Sequence, residues 1–148
     1  MEIVELHTLT ASQVEELLGL MEVLDPTVPV TAKELQAAVS CSSTHFFAAV
    51  EEGHIIGCAS LCLTRHPLGL KGGVEDVVVS PSARGRGIGR KLMEHIIGYA
   101  KGLAPIEVCL TSRPSRVAAN QLYQALGFRP HQTNVYKLPL SADASDNC

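Results

Sequence analysis

The segment Ser80-Pro81-Ser82-Ala83-Arg84-Gly85-Arg86-Gly87-Ile88-Gly89-Arg90-Lys91 gathers the residue types that hold a multiply charged anion. Arg84, Arg86, Arg90 and Lys91 put four of the chain's twelve basic residues into eight positions, and Gly85, Gly87 and Gly89 lie among them. Glycine removes the Cβ atoms that would keep a phosphate away from main-chain N–H groups. A helix start leaves such groups unpaired and carries partial positive charge, so a loop of this kind opening a helix attracts phosphate. The arginines extend that attraction over a longer range. Two common phosphate patterns fail on spacing. The P-loop needs Gly-Lys-Ser/Thr where this chain has Gly89-Arg90-Lys91, and the dinucleotide pattern G-x-G-x-x-G needs a glycine where Arg90 stands.

The flanking elements must place that loop. Val74–Val79 reads as a central strand before it, and Gly87–Lys101 as an amphipathic helix after it, with Ile88, Leu92, Met93, Ile96, Ile97 and Ala100 on one face. Upstream, Glu2–His7 reads as a strand. Thr10-Ala-Ser-Gln13 and Thr31-Ala-Lys-Glu34 are capping-box patterns that open two helices, separated by a loop holding Pro26 and Pro29. His45–Val50 and His54–Thr64 form a hairpin around Glu51-Glu52-Gly53, and Arg65–Gly73 reads as a loop. Downstream come a strand Pro105–Thr111, a helix Ser115–Leu126 ended by Gly127, and a return to strand from Phe128 that includes Val135–Leu138. The order is β-α-α-β-β-β-α-β-α-β, an α/β chain around one mixed sheet.

Composition limits what this can be. With 148 residues, 46% apolar and 18% charged, the chain is one globular domain with enough material for a core. It has no run near the roughly 20 apolar residues of a membrane helix and no signal-like start. A net charge of −3 and only three Phe, three Tyr and no Trp argue against nucleic acid as partner. Five unclustered cysteines and scattered histidines give no metal-ligand spacing, so no metal is expected. Reduced thiols fit a cytoplasmic setting, with Cys58, Cys62 and Cys109 in apolar runs as core residues. Residues 1–140 make the domain, and Ser141–Cys148 a polar tail.

Arg84-x-x-Gly87-x-Gly89 resembles the R/Q-x-x-G-x-G/A signature of the GNAT superfamily of N-acetyltransferases. Glu75-Asp76-Val77-Val78-Val79-Ser80-Pro81 is similar to the family's fourth strand, and Ala119-Asn-Gln-Leu122-Tyr123-Gln-Ala-Leu126-Gly127-Phe128 to its A-x-x-L-Y-x-x-x-G-F region. The resemblance covers about residues 1–140. It implies a central sheet of six to seven strands with helices on both faces, splayed between the fourth and fifth strands. It also implies acetyl-CoA as co-substrate. The pyrophosphate would rest on the N–H groups of Arg84, Gly85, Arg86, Gly87, Ile88, Gly89 and Arg90, and the pantetheine would pair with the main chain of Val77, Val78 and Val79.

By the same resemblance Tyr123 is the general acid for the leaving thiolate, with packing or CoA binding as its other reading. Many members carry Asn seven residues before that tyrosine, where this chain has Arg116, so Arg116 and Asn120 stand as alternative CoA contacts. Glu75 is the candidate general base. By strict alternation it shares a face with Val77 and Val79 and leaves Asp76 on the other. The activity implied is direct transfer of an acetyl group to a primary amine on a small molecule or peptide. The competing reading is an acyl-CoA-binding sensor without turnover. Dimers are common for domains this small, so a homodimer is an expectation too.

Overall fold

The computed structural model describes residues 1–142. Five strands form one sheet in the order β1-β2-β3-β4-β5: β1 Glu2–Leu6, β2 Thr44–Glu51, β3 His54–His66, β4 Gly69–Val79 and β5 Ile106–Cys109. The first three pairings are antiparallel and β4–β5 is parallel. Four α-helices accompany them: α1 Ala11–Leu24, α2 Ala32–Ser40, α3 Ile88–Lys101 and α4 Val117–Ala125. The parallel pair is joined through α3, because parallel strands need a long crossover.

Both capping boxes form. Thr10 Oγ1 accepts from Gln13 N–H at 3.2 Å while Gln13 Oε1 accepts from Thr10 N–H at 2.9 Å. Thr31 and Glu34 repeat the exchange at 3.2 and 2.8 Å. Each box satisfies two helix-start donors reciprocally, so both starts are written in the local sequence.

Two clusters of buried side chains, one per face of the sheet, hold the layers together. Leu17, Leu20, Leu35 and Val39 of α1 and α2 pack with Phe46, Ala48, Cys58 and Val78. On the other face Ile88, Leu92, Met93 and Ile96 of α3 pack with Phe47, Leu61 and Val74, and Tyr123 of α4 joins them. Helices therefore cover both faces, as expected. Each of the large apolar side chains fully removed from water contributes roughly 1.5–3 kcal/mol.

Three expectations need correcting. The stretch Arg65–Gly73 is not a loop: β3 runs to His66, turns at Pro67–Leu68 and returns as β4 from Gly69. Glycine-rich sequence suggested a loop, but a Cβ at Gly72 would lie 2.8 Å from Leu61 Cδ1 and 3.3 Å from Ile106 Cδ1. Glycine here allows close packing within a strand rather than a break in it. Second, the sheet among the described residues has five strands, not six or seven. Phe128 onward, including Val135–Leu138, forms no strand, and residues 129–142 are all exposed. Alternation can prepare a strand, but a ladder also needs a neighbour to bond. Third, Cys109 is exposed rather than core, because β5 is an edge strand; Cys58 is buried and Cys62 half-buried. The expected tail beyond Ala142 lies outside the described residues.

Candidate active site

β4 sets the site. Its register against β3 slips by one residue: Cys58 opposes Val78, but Ser60 opposes Glu75, so Ala59 faces both Asp76 and Val77. This is a β-bulge, and Asp76 sits in it with φ +54°. The extra residue reverses the strand's alternation. Val74 points to the α3 face with Val77 and Val79, whereas Val78 points to the α1–α2 face. Glu75 follows Val74, so it does not share a face with Val77 and Val79 as strict alternation predicted. Its Oε1 lies against Gly73, on the side away from Leu61.

The bulge is held from β3. Ser60, buried at 3% exposure, donates its hydroxyl to the Glu75 carbonyl at 3.2 Å. Cys58 Sγ lies 3.8 Å from the Asp76 carbonyl, and burial pushes its thiol pKa up to about 12. That thiol is inert. Ser60→Ala is expected to cost about 1 kcal/mol, read as a lower urea midpoint with unchanged slope, and to reduce turnover more than acetyl-CoA affinity.

β4 and β5 pair only from Leu70↔Ile106 to Gly73↔Cys109. From Val74 on, the β5-facing edge of β4 has no strand partner. A cavity of ≈ 150 Å³ opens there, lined by Glu75, Asp76, Val77, Thr111, Arg116 and Tyr123 among others, with Leu24 at the end of α1. Tyr123 is 6% exposed, and its ring meets Phe128 edge-on with centroids 6.1 Å apart. Burial raises its pKa, and Arg116 offsets part of that rise. Desolvation also raises the Asp76 carboxyl above the usual aspartate range. The structure thus brings Glu75, Arg116 and Tyr123 together, and adds Asp76 and Thr111, which the sequence reading set aside or missed. A Glu-Asp pair on a strand is the only sequence signal for Asp76; the bulge itself has none.

The candidate anion cradle follows the C-terminal end of β4, a few residues beyond the cavity-lining Val77. A 3-10 turn, Pro81–Ala83, leads to Gly87, the N-cap of α3, with φ +75°; Gly85 has φ +76°. No side chain caps this helix, and its first main-chain bond runs from Lys91 N–H to the Gly87 carbonyl at 3.1 Å. The N–H groups of Ile88, Gly89 and Arg90 therefore have no acceptor among the described residues. Val79 Cγ2 sits beneath Gly89, tying the cradle to the strand. Two of the three arginines are already paired. Arg86 donates to Glu51 Oε1 at 2.7 Å, which lowers the Glu51 pKa, and Arg90 donates to Glu94 at 3.0 Å. Arg84 has no carboxylate partner among the described residues.

Asn120 is committed locally: its Nδ2 donates to the carbonyls of Arg113 and Arg116, both at 2.9 Å, and so fixes the start of α4. Asp25 likewise closes a turn, accepting from Thr27 N–H at 3.0 Å and Thr27 Oγ1 at 2.6 Å, bonds that lower its pKa. A second hollow, lined by Glu5, Cys41 and His45, lies at the β1–β2 side of the sheet, away from the β4–β5 opening. Among the described residues, no three His, Cys, Asp or Glu side chains are grouped to hold a metal, and no helix is long and apolar enough to cross a membrane.

Residues 42–130, more than half of the chain, match a family model described as the acetyltransferase (GNAT) domain. The chain is 30% identical over 138 residues to glucosamine 6-phosphate N-acetyltransferase of Trypanosoma brucei brucei, covering 86% of this chain and 90% of that protein. A crystal structure of a Trypanosoma brucei acetyltransferase superposes with TM-score 0.75 at 27% identity, over 94% of this chain and 99% of that one. AAC(6')-Iy, in complex with the bisubstrate analog CoA-S-monomethyl-acetylneamine, shares the fold with TM-score 0.76 at 20% identity, over 95% and 98% of the two chains. The glycine cradle, the bulged fourth strand and these matches lead to one conclusion: the chain belongs to the GNAT family of acetyltransferases, which use acetyl-CoA as co-substrate.

Proposed function

We propose that this protein transfers an acetyl group from acetyl-CoA directly to a primary amine at the β4–β5 opening. Tyr123 serves as general acid, and the Glu75–Asp76 pair receives the ammonium and its proton. The observation that carries the reading is the single cavity lined by Glu75, Asp76, Arg116 and Tyr123, placed where β4 loses its β5 partner.

The residues suit the group they would hold. The N–H groups at the start of α3 can donate to a pyrophosphate, joined by Arg84, which has no carboxylate partner among the described residues. The open edge of β4 at Val77–Val79 offers main-chain groups to the amides of a pantetheine, as an added strand would find them. We read that opening as the family's splay. Arg116 is the better placed of the two alternative contacts, since Asn120 has both amide hydrogens engaged. When bound, acetyl-CoA supplies an activated carbonyl. Tyr123, its pKa raised by burial, remains protonated at neutral pH and can give its proton to a leaving thiolate. The bulge takes one residue out of the β3 ladder, and a main-chain N–H released there would suit a developing oxyanion.

Arg116 also bears on the acceptor. Carboxylates and a guanidinium in one cavity meet both charges of a small amine that also carries an anionic group. An amino-sugar phosphate such as glucosamine 6-phosphate, the substrate in the name of the trypanosomal relative, heads the acceptors to test. The setting proposed is cytoplasmic, where acyl-CoA is present.

Asp76→Asn tests the carboxylate pair with two independent readouts. It is expected to lower kcat by roughly 10²-fold, the lower end of the range for losing a proton acceptor, and Glu75→Gln to do likewise. Stability should move the other way. Burial raises the Asp76 pKa on folding, so the folded chain keeps this proton to higher pH than the unfolded one. Stability therefore falls as pH rises through that window, and the charged group costs stability above it. Asparagine tolerates the left-handed backbone at this position. The Asn variant should melt higher than wild type at neutral pH, and the gain should vanish below the ordinary aspartate pKa. Unchanged kcat in both variants would remove the pair from the mechanism.

A further inference from the structure

We propose that Cys41 and Cys62 form a redox pair, in which a peroxide oxidises the Cys41 sulfur and Cys62 then closes a disulfide onto it. Thr44 brings the two together. Its N–H donates to the Cys41 carbonyl at 3.1 Å, closing an exposed turn that folds Cys41 back over Thr44 after α2. Its hydroxyl reaches the Cys41 sulfur on one side. On the other it lies 4.0 Å from Cys62 Sγ, because Thr44 and Cys62 face each other across β2 and β3. Leu63 N–H donates to the Ser43 carbonyl at 2.8 Å and ties the turn to β3 beside Cys62. The ends of such a turn have Cα atoms within about 7 Å of each other, and facing strand residues about 5 Å. A disulfide needs roughly 4.4–6.8 Å between Cα atoms, a distance within the swing of the exposed turn.

The two sulfurs differ in environment, and that sets the order of reaction. Cys41 is exposed and lines a hollow of ≈ 250 Å³ with Glu5, His7, Thr44 and His45, so a small oxidant reaches it. The Ser43 hydroxyl, 3.3 Å from Sγ, and then the Ser43 main chain and the Thr44 hydroxyl lower its pKa to about 7. About half of it is therefore thiolate at neutral pH, against a few per cent for an ordinary cysteine. Glu5, whose charge would oppose this, is engaged by His45 at 2.7 Å. Cys62 is half-buried and follows as the resolving thiol. Cys58 does not compete, since burial removes it from water and protonates it. Cys62 also opposes Gly73 of β4, over which the Glu75 carboxylate lies, so the bond would form one strand from the candidate base.

The steps balance with hydrogen peroxide as the oxidant. The Cys41 thiolate attacks one peroxide oxygen; an S–O bond forms, the O–O bond breaks, and hydroxide leaves to take up a proton as water. Cys41 is then a sulfenic acid, oxidised by an electron pair that the peroxide has gained. The Cys62 sulfur attacks it. An S–S bond forms, the S–O bond breaks, and the departing hydroxyl takes the Cys62 proton and leaves as water. A thiol reductant reverses the bond by exchange. Disulfides of cytoplasmic proteins are mostly of this transient, redox-sensing kind.

The test treats the full wild-type chain with hydrogen peroxide at neutral pH and maps its thiols by mass spectrometry. The expected product has lost a pair of hydrogens, and its Cys41 and Cys62 peptides stay joined until a reductant is added. Cys62→Ser should stop the reaction at the Cys41 sulfenic acid, trapped by dimedone. Cys41→Ser should slow oxidation of Cys62 by roughly tenfold or more, as loss of the reactive thiolate requires. Alkylation of the wild type needs no variant: Cys41 should react with iodoacetamide roughly tenfold faster than Cys62 or Cys109. A bond from Cys41 to Cys58, Cys109 or Cys148, or to a second chain, overturns the proposal. So does a Cys41 sulfenic acid that persists beside a free Cys62, or a Cys41 that reacts no faster than Cys109.

Discussion

Tyr123→Phe should lower kcat by roughly 10²–10³-fold, within the range for removal of a general acid, while acetyl-CoA affinity stays within a few-fold. The ring is buried at 6% exposure in the α3-face cluster, edge-on to Phe128, and Phe keeps that packing. Only the hydroxyl is lost, and among the described residues it bonds to no protein group, so the fold loses no hydrogen bond. The variant thus isolates chemistry from stability. A parallel collapse of affinity would make Tyr123 a binding residue instead. A loss confined to KM for the amine would place it at the acceptor.

Gly87→Glu should act on the opposite term, weakening acetyl-CoA binding by about 100-fold or more. Gly87 is the N-cap of α3 at φ +75°, and nothing lies within 4 Å of a Cβ built there, so the side chain has room. Its conformation disfavours any L-residue by roughly 1–2 kcal/mol, which the fold can bear. The decisive effect is electrostatic. A carboxylate at the open helix start competes for the same N–H groups as the pyrophosphate and repels it; like charges juxtaposed cost several kcal/mol. Gly87→Asn is the control, since asparagine accepts the left-handed backbone without adding charge. It should retain most of the affinity. Equal affinity for wild type and Gly87→Glu would separate the loop from phosphate binding.

The open helix start was legible in sequence because its cause is local: glycines at positive φ, an uncapped first turn and the preceding strand all lie within a dozen residues. The two capping boxes were legible for the same reason. The face of Glu75 was not, since a bulge depends on how β4 registers against β3 and on Ser60, fifteen positions away in sequence. The same gap hid Asp76, whose raised pKa arises from tertiary burial. Asn120 looked like a ligand contact by residue type, yet its donors close the start of its own helix. Arg86 and Arg90 read as free positive charge, but Glu51 and Glu94 engage them. The expected final strand has the right alternation, but no neighbouring strand bonds to it in the structure, and alternation alone carries no information about a neighbour.

The most direct test of direct acetyl transfer at the β4–β5 opening is CoA thiol release from acetyl-CoA, followed with glucosamine 6-phosphate, aminoglycosides, small amines and peptide N-termini as acceptors. The account predicts release that depends on one class of amine, matches acetylated amine mole for mole, leaves no acetyl group on the protein, and disappears in Gly87→Glu. Tight acetyl-CoA binding with no release on any amine would contradict it and show a sensor. No binding at all would contradict the site itself.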